Sequence, residues 1–441
     1  MSQLQDLLGC DFTCERCGRQ HQNALHEVRF GADALASIPD LCKRFGGEDV
    51  CVIADSRTRD VVGLEVMDLL VAAGCQAAEF VIPDPSPGHV PVCDDVTHDA
   101  LAPRLPKADI YVATGSGVVS DLTKWWTGDL GKPYICVATA ASMNGYASAN
   151  VAPTLQGVKS LVRGNGPLAI VGTPAILANA PKIMTAAGLG DVMAKPVSAS
   201  DWRLNHLVFG EYYCPFCAGT IDEIEAIYMD NPEAIGQGDE PGITALFEAL
   251  ILTGISMTMA GTSSPASGGE HLVSHTLDMM SSVDGVPHDF HGRQVGVSTI
   301  LGAALYQELM ALENPTFTVP ESPSDPAFWG FLAPSVEEHH EKKRVRTAAA
   351  VAEFQARPEL WNQVRATLTP QLRSPERLKD CLRRAGAAHR YCDLGIDRAR
   401  YLAALHHAHE IRERFTVLDL ARITGILPAR AEELVDRWLS E

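Results

Sequence analysis

The chain has 441 residues, 46% of them hydrophobic, enough for a sizeable core in two domains or one large one. Its 36 basic and 55 acidic residues give a formal net charge of -19, which argues against nucleic acid or an anionic membrane surface as the main partner. Residues 1–30 are polar rather than signal-like, no uncharged apolar run reaches about 18 residues, and twelve scattered cysteines suggest a reducing cytoplasm.

Taken in order, the first 30 residues hold Cys10, Cys14, Cys17 and His21. The spacing Cys14-x2-Cys17-x3-His21 is that of a metal knuckle. With the distant pair Cys214 and Cys217 it can supply a closed, four-ligand structural zinc site. The plain alternative is reduced thiols packed as small hydrophobes.

From residue 49 the pattern alternates. Residues 50–54 (VCVIA), 76–82, 109–113 (DIYVA) and 134–138 read as buried strands, and 61–73, 92–101 and 118–126 as helices. This predicts a doubly wound parallel sheet of the Rossmann type. Beyond residue 172 the periods are helical: 174–187, 191–208, 221–228, 243–259, 271–280 and 295–312. After a Pro-rich connection at 314–326, helices are predicted over 336–356, 358–368, 375–384, 396–414 and 417–425. The expected organisation is a Cys/His-bearing segment (1–30), an α/β dinucleotide-binding domain (31–172) and an all-helical domain (173–441).

Three stretches carry chemistry. Gly115-Ser-Gly117-Val118-Val119-Ser120-Asp121 follows a strand and opens a helix, where glycines admit a diphosphate to the helix N-terminus. Asp55 ends the first strand and can accept a ribose hydroxyl; a plain N-cap is the alternative for both Asp55 and Asp121. The loop 139–148, with Thr139, Ser142, Asn144 and Ser148, suits a cofactor and a small polar substrate. In 264–292, His271 and His275 are four apart and share a helix face, and His291 can fold back onto it after a Gly/Pro turn. Asp191, read as the cap of a new helix, can complete an O, N, N set for a divalent ion with an open fourth position.

The runs GSGVVSDLTK (115–124), TAASMNGYAS (139–148), GLGDVMAKPVSASDW (188–202), PASGGEHLVSH (265–275) and HGRQVG (291–296) resemble the AraM-type sn-glycerol-1-phosphate dehydrogenases, of the dehydroquinate synthase and iron-type alcohol dehydrogenase superfamily. The resemblance runs from about residue 28 to 312 and includes HHAHEIRERFTVLDLARITG (406–425). It implies reduction of dihydroxyacetone phosphate by NADH or NADPH with one divalent metal: zinc, nickel or iron. It implies that Asp191, His271 and His291 hold the metal and that His275 contacts substrate. Asp55, Gly117 to Asp121, Thr139, Ser142 and Ser148 are implied to contact the cofactor. It also implies a homodimer or higher homo-oligomer. Asn144 stands where the family usually has a substrate-touching Asp, and Ser264 where many members have Arg, so another polyol or aldehyde is the near alternative. A dehydroquinate synthase-like lyase and a non-catalytic zinc scaffold are the other readings.

Overall fold

The computed structural model describes residues 2–440. Six strands form one parallel sheet: β1 (Glu27–Phe30), β2 (Asp49–Asp55), β3 (Gln76–Ile82), β4 (Ile110–Gly115), β5 (Tyr134–Ala138) and β6 (Ala169–Gly172). They lie in the order β1-β6-β5-β4-β2-β3. β4 and β5 are buried along their whole length, which is why they read as unbroken apolar runs rather than as alternating ones. Val50, Val52, Ile110, Val112, Ile135, Val137 and Val171 point to one face of the sheet. There they pack on Ile38, Leu41, Val66 and Leu70, from the helices Ile38–Phe45 and Leu64–Ala72.

The strand order creates a switch point. From β2 the chain moves outward to β3, then crosses back to place β4 on the other side of β2. Connections therefore leave β2 and β4 in opposite directions, and a crevice opens between their carboxyl ends. The four strands read from sequence are all present; β1 and β6 are additional. Each has only four residues, too few for a period to separate a strand from a helical segment.

Six helices flank the candidate sites: α1 (Gly117–Leu130), α2 (Lys182–Met193), α3 (Lys195–Phe209), α4 (Glu240–Ala260), α5 (Gly269–Asp284) and α6 (His291–Met310). The chain forms two compact units. The first holds the residues up to Gly188 together with Gly219–Thr262; the second holds Leu189–Ala218 and the residues from Ser263 onward. The first contains the sheet and α4, and the second is helical. Among the described residues α4 alone is long and apolar enough to cross a membrane, yet its apolar stretch is 89% buried in the protein. Phe247 of α4 stacks near Phe30 of β1, with ring centroids 5.2 Å apart.

One local expectation is corrected. Asp191 does not cap a new helix: α2 runs through it to Met193, and α3 starts at Lys195. Gly188 and Gly190 fall in the gap between the helices expected at 174–187 and 191–208, but they sit inside α2, where another segment crosses it. A Cβ on Gly190 would run into the carbonyl oxygen of Gly292 and lie 3.2 Å from the Cα of Gly296. These glycines mark a close approach rather than a break.

Candidate active site

In the first unit, β4 ends at Gly115 and α1 begins at Gly117, so the first turn of α1 stands at the carboxyl edge of the sheet beside the switch point. Gly115, Gly117, Val118, Val119, Ser120 and Asp121 all lie on this junction. The side chains of Val119 and Ser120 are buried, so what the turn can offer a phosphate is backbone N–H groups and the positive end of the helix. The Asp121 carboxylate accepts from Lys124 Nζ at 3.0 Å and from the Ala152 backbone N–H at 3.3 Å. Lys124 is fully buried and also donates to the carbonyls of Gly145 (2.8 Å) and Asn150 (3.0 Å). Asp121 and Lys124 therefore fasten the loop after β5 to α1.

Asp55, at the carboxyl end of β2, accepts the N–H groups of Arg57 (2.9 Å) and Thr58 (2.8 Å) as an N-cap. Its other oxygen lies 3.2 Å from the Arg57 guanidinium, which reaches on to Asp84 at 2.7 Å. An acid and an arginine thus share the strand end where a ribose would sit. Thr139 donates its N–H to Gly115 at 3.3 Å, and Ser148 is buried with its hydroxyl accepting from Asn150 N–H at 3.1 Å. Asn144 opens the short turn Asn144–Ala147, and Ser142 is half-buried just before it. This loop rests on α4. The Thr258 hydroxyl bridges Ala147 O and Ala149 N–H, each at 3.1 Å.

In the second unit, Asp191 from the last turn of α2, His271 from the first turn of α5 and His291 at the start of α6 bring their ligand atoms within 4.8 Å of one another. His271 Nε2 lies 3.7 Å from Asp191 Oδ1, too long for a hydrogen bond and right for two ligands of one ion. The other ring nitrogen, Nδ1, donates to Glu270 Oε1 at 2.7 Å. A carboxylate behind the imidazole fixes its tautomer and strengthens it as a ligand. Glu270 Oε1 also accepts the Gly268 N–H at 2.8 Å. His291 Nδ1 lies 3.1 Å from the Ser274 hydroxyl, which orients the ring. The donor set, one carboxylate oxygen and two oriented imidazoles, fits a divalent transition metal.

His275 lies beside this group, its ring stacked on His291 with centroids 5.4 Å apart and 26° between planes. Burial opposes a charge on His271, but Asp191 and Glu270 outweigh it and raise the imidazole to about 9. Burial and then the neighbouring Glu270 charge raise the Asp201 carboxyl to about 8. Asp201 braces the segment before α5: it accepts Gly269 N–H (2.7 Å), Tyr306 O–H (2.5 Å) and Val417 N–H (2.8 Å).

Sequence reasoning missed Glu270, Ser274, Asp201 and Arg414. The last donates to Ser267 O and to the Ser263 hydroxyl at 3.3 Å, and so places a cation along the segment that holds Ser264. The only local signal was the adjacency of Glu270 and Ser274 to the histidines. Of the cysteines expected to share a zinc ion, Cys14 and Cys17 lie in the first unit and Cys214 and Cys217 are buried in the second, and none of the four is in a disulfide.

Residues 29–181 match the model of the iron-containing alcohol dehydrogenase family. The chain is 30% identical over 371 residues to a glycerol-1-phosphate dehydrogenase, NAD(P)+, of Geobacillus thermodenitrificans, covering 84% of this chain and 85% of that protein. It is 28% identical over 406 residues to the protein of that name from Halalkalibacterium halodurans, covering 92% of this chain and 94% of the other. Its fold is also that of the glycerol dehydrogenase from Schizosaccharomyces pombe, with a TM-score of 0.61 at 15% identity over 94% of this chain and 91% of that one. With its switch-point sheet and its clustered acid and imidazoles, the chain belongs to the glycerol-1-phosphate dehydrogenase family.

Proposed function

We propose that this protein reduces dihydroxyacetone phosphate to sn-glycerol 1-phosphate with NADH or NADPH, at a divalent ion held by Asp191, His271 and His291. The observation that carries the reading is the convergence of these three side chains, with Glu270 set behind His271. A bound ion supplies a Lewis acid for the ketone oxygen. The chain supplies the rest. The backbone of 115–121 and the acid–arginine pair Asp55–Arg57 hold the dinucleotide at the edge of the sheet. Thr139, Ser142 and Ser148 line the same loop, and Asn144 offers the substrate a hydrogen bond.

The balance is simple. The ketone carbon takes a hydride from the nicotinamide, the carbonyl oxygen takes a proton, and NAD(P)+ leaves. His275, whose ring stacks on His291, delivers that proton directly or through water. Zinc, nickel and iron(II) all accept this donor set, and the Asp55–Arg57 pair suits both nicotinamide cofactors. Twelve cysteines, none in a disulfide, favour a reducing cytoplasm. A homodimer or larger homo-oligomer is proposed on the family resemblance.

A second reading, reduction of another small ketone or aldehyde, is favoured by Asn144 and Ser264 at positions that face substrate in the family. Arg414 beside Ser263 and Ser267 weighs the other way, because it restores a cation for a phosphate. The test is a panel of phosphorylated and unphosphorylated ketones read by NADH and NADPH oxidation. Dihydroxyacetone phosphate should give the highest kcat/KM, and a faster unphosphorylated ketone would transfer the assignment. His271→Ala and His291→Ala should lose metal and turnover together. Normal rates in chelator for either variant would remove the ion from the reaction.

A further inference from the structure

The reaction leaves the N-terminal cysteine hairpin unused. Strands Asp11–Thr13 and Gln20–Gln22 pair antiparallel, with Phe12 opposite His21 and Thr13 opposite Gln20. Between them the chain makes a tight knuckle. Cys14 donates its N–H to Arg19 O at 2.9 Å, and Gly18 donates to Cys14 O at 2.7 Å. Gly18 takes φ +73°, the left-handed conformation that a side chain would resist. The turn brings Cys14 and Cys17 to the same side, and the hairpin register returns His21 to them. The ligand atoms of Cys14, Cys17 and His21 fall within 4.8 Å of one another, and Cys17 Sγ lies 3.4 Å from His21 Nε2.

The imidazole is oriented for a metal. His21 is completely buried, and its Nδ1 lies 2.8 Å from the carbonyl oxygen of Met259 in α4. A carbonyl only accepts, so Nδ1 carries the proton. The Nε2 lone pair is then directed at the thiols. A ring tied through one nitrogen to a backbone carbonyl, with the other turned toward cysteine sulfur, is the usual support of a zinc-binding histidine. Two thiols and one imidazole are soft and borderline donors, which select zinc over magnesium or calcium.

We propose that Cys14, Cys17 and His21 bind a structural zinc ion that fastens the N-terminal hairpin to the end of α4. Binding converts both thiols to thiolates and releases their two protons, while His21 binds as the neutral ring. The ion is remote in role from the reaction. It fixes Met259, the neighbour of Thr258, whose hydroxyl holds the loop of Ala147 and Ala149. The zinc therefore supports, through α4, the loop proposed to line the cofactor.

The test is zinc content of the full-length protein after loading and exhaustive dialysis. Wild type should retain about two ions per chain, and His271→Ala about one. Cys14→Ser combined with Cys17→Ser should also retain about one, and the triple variant none. His21→Cys should keep the wild-type content, since tetrahedral zinc accepts sulfur in place of nitrogen. Wild-type content in the double serine variant would overturn the proposal. Wild-type content in His271→Ala would instead overturn the active-site reading and leave this one standing.

If the serine variants fail to fold, cobalt-loaded wild type and His271→Ala decide the matter. Both should show a near-ultraviolet thiolate-to-cobalt charge-transfer band, and its absence would rule the site out. Recovery of a Cys14–Cys17 disulfide from protein kept under reducing conditions would also overturn the proposal, because it would make the pair a redox couple.

Discussion

Glu270 shows how a single side chain can govern a site without touching what binds there. It sits next to His271 in sequence, accepts that ring's Nδ1–H, and is itself held by Gly268 N–H. Replacing it with Gln keeps the shape and removes the charge. Glu270→Gln should weaken metal retention on the order of 10–100-fold, measured by competition with a chelator, with the protein still folded. Unchanged retention would mean the carboxylate only braces the loop. None of this was legible in the sequence, because neighbours on a helix do not share a face. The pairing depends on the N-terminal turn of α5. By contrast His271 and His275 were readable, since their spacing of four is a helix period. The roles of Asp55 and Asp121 were half-legible: each sequence position allowed a ligand contact or a cap. The structure shows Asp55 capping beside Arg57, and Asp121 engaged by the buried Lys124.

At the scale of elements, the crossing of α2 and α6 decides whether Asp191 and His291 can meet. Gly190 precedes Asp191, Gly292 follows His291, and these glycines let the two backbones touch. Gly190→Ala should force the helices apart at a cost of roughly 1–3 kcal/mol, seen as a lower Tm. It should also lose metal, because the carboxylate moves away from the imidazoles. A variant with wild-type Tm and metal content would show that the crossing is soft. The sequence suggested a break between helices at Gly190, since local propensity cannot report a backbone arriving from about a hundred residues away. The long strands and helices were readable from their periods. The short strands β1 and β6 and the late helix Ala431–Leu439 were not, lacking length or flanking signals.

For the molecule as a whole, two buried groups bias stability in the same direction. In the metal-free protein His271 is raised to about 9 from its ordinary 6.5, and Asp201 to about 8 from 3.8. Both hold protons more tightly when folded than when unfolded. The stabilisation they give is therefore complete at low pH and is lost as pH rises through the folded values. The Tm of the metal-free protein should fall between pH 6.5 and about 9, and the metal-loaded protein should fall less, because the ion takes the place of the proton on His271. Thermal melts with chelator and with metal across that range check this, and a flat profile in chelator would contradict it. The assignment of Gly219–Thr262 to the same unit as the sheet was invisible in sequence, since it rests on packing between distant segments such as Phe30 and Phe247.

The turn after β4 has a consequence for how such a chain diverges. What it presents at the crevice is largely main chain, since the side chains of Val119 and Ser120 face inward. Nucleotide affinity of this kind is inherited with the topology and survives extensive drift of the amino acids that build it. On the proposed reading, selectivity between relatives is rewritten elsewhere, at the strand end carrying Asp55 and Arg57 and in the loop around Asn144.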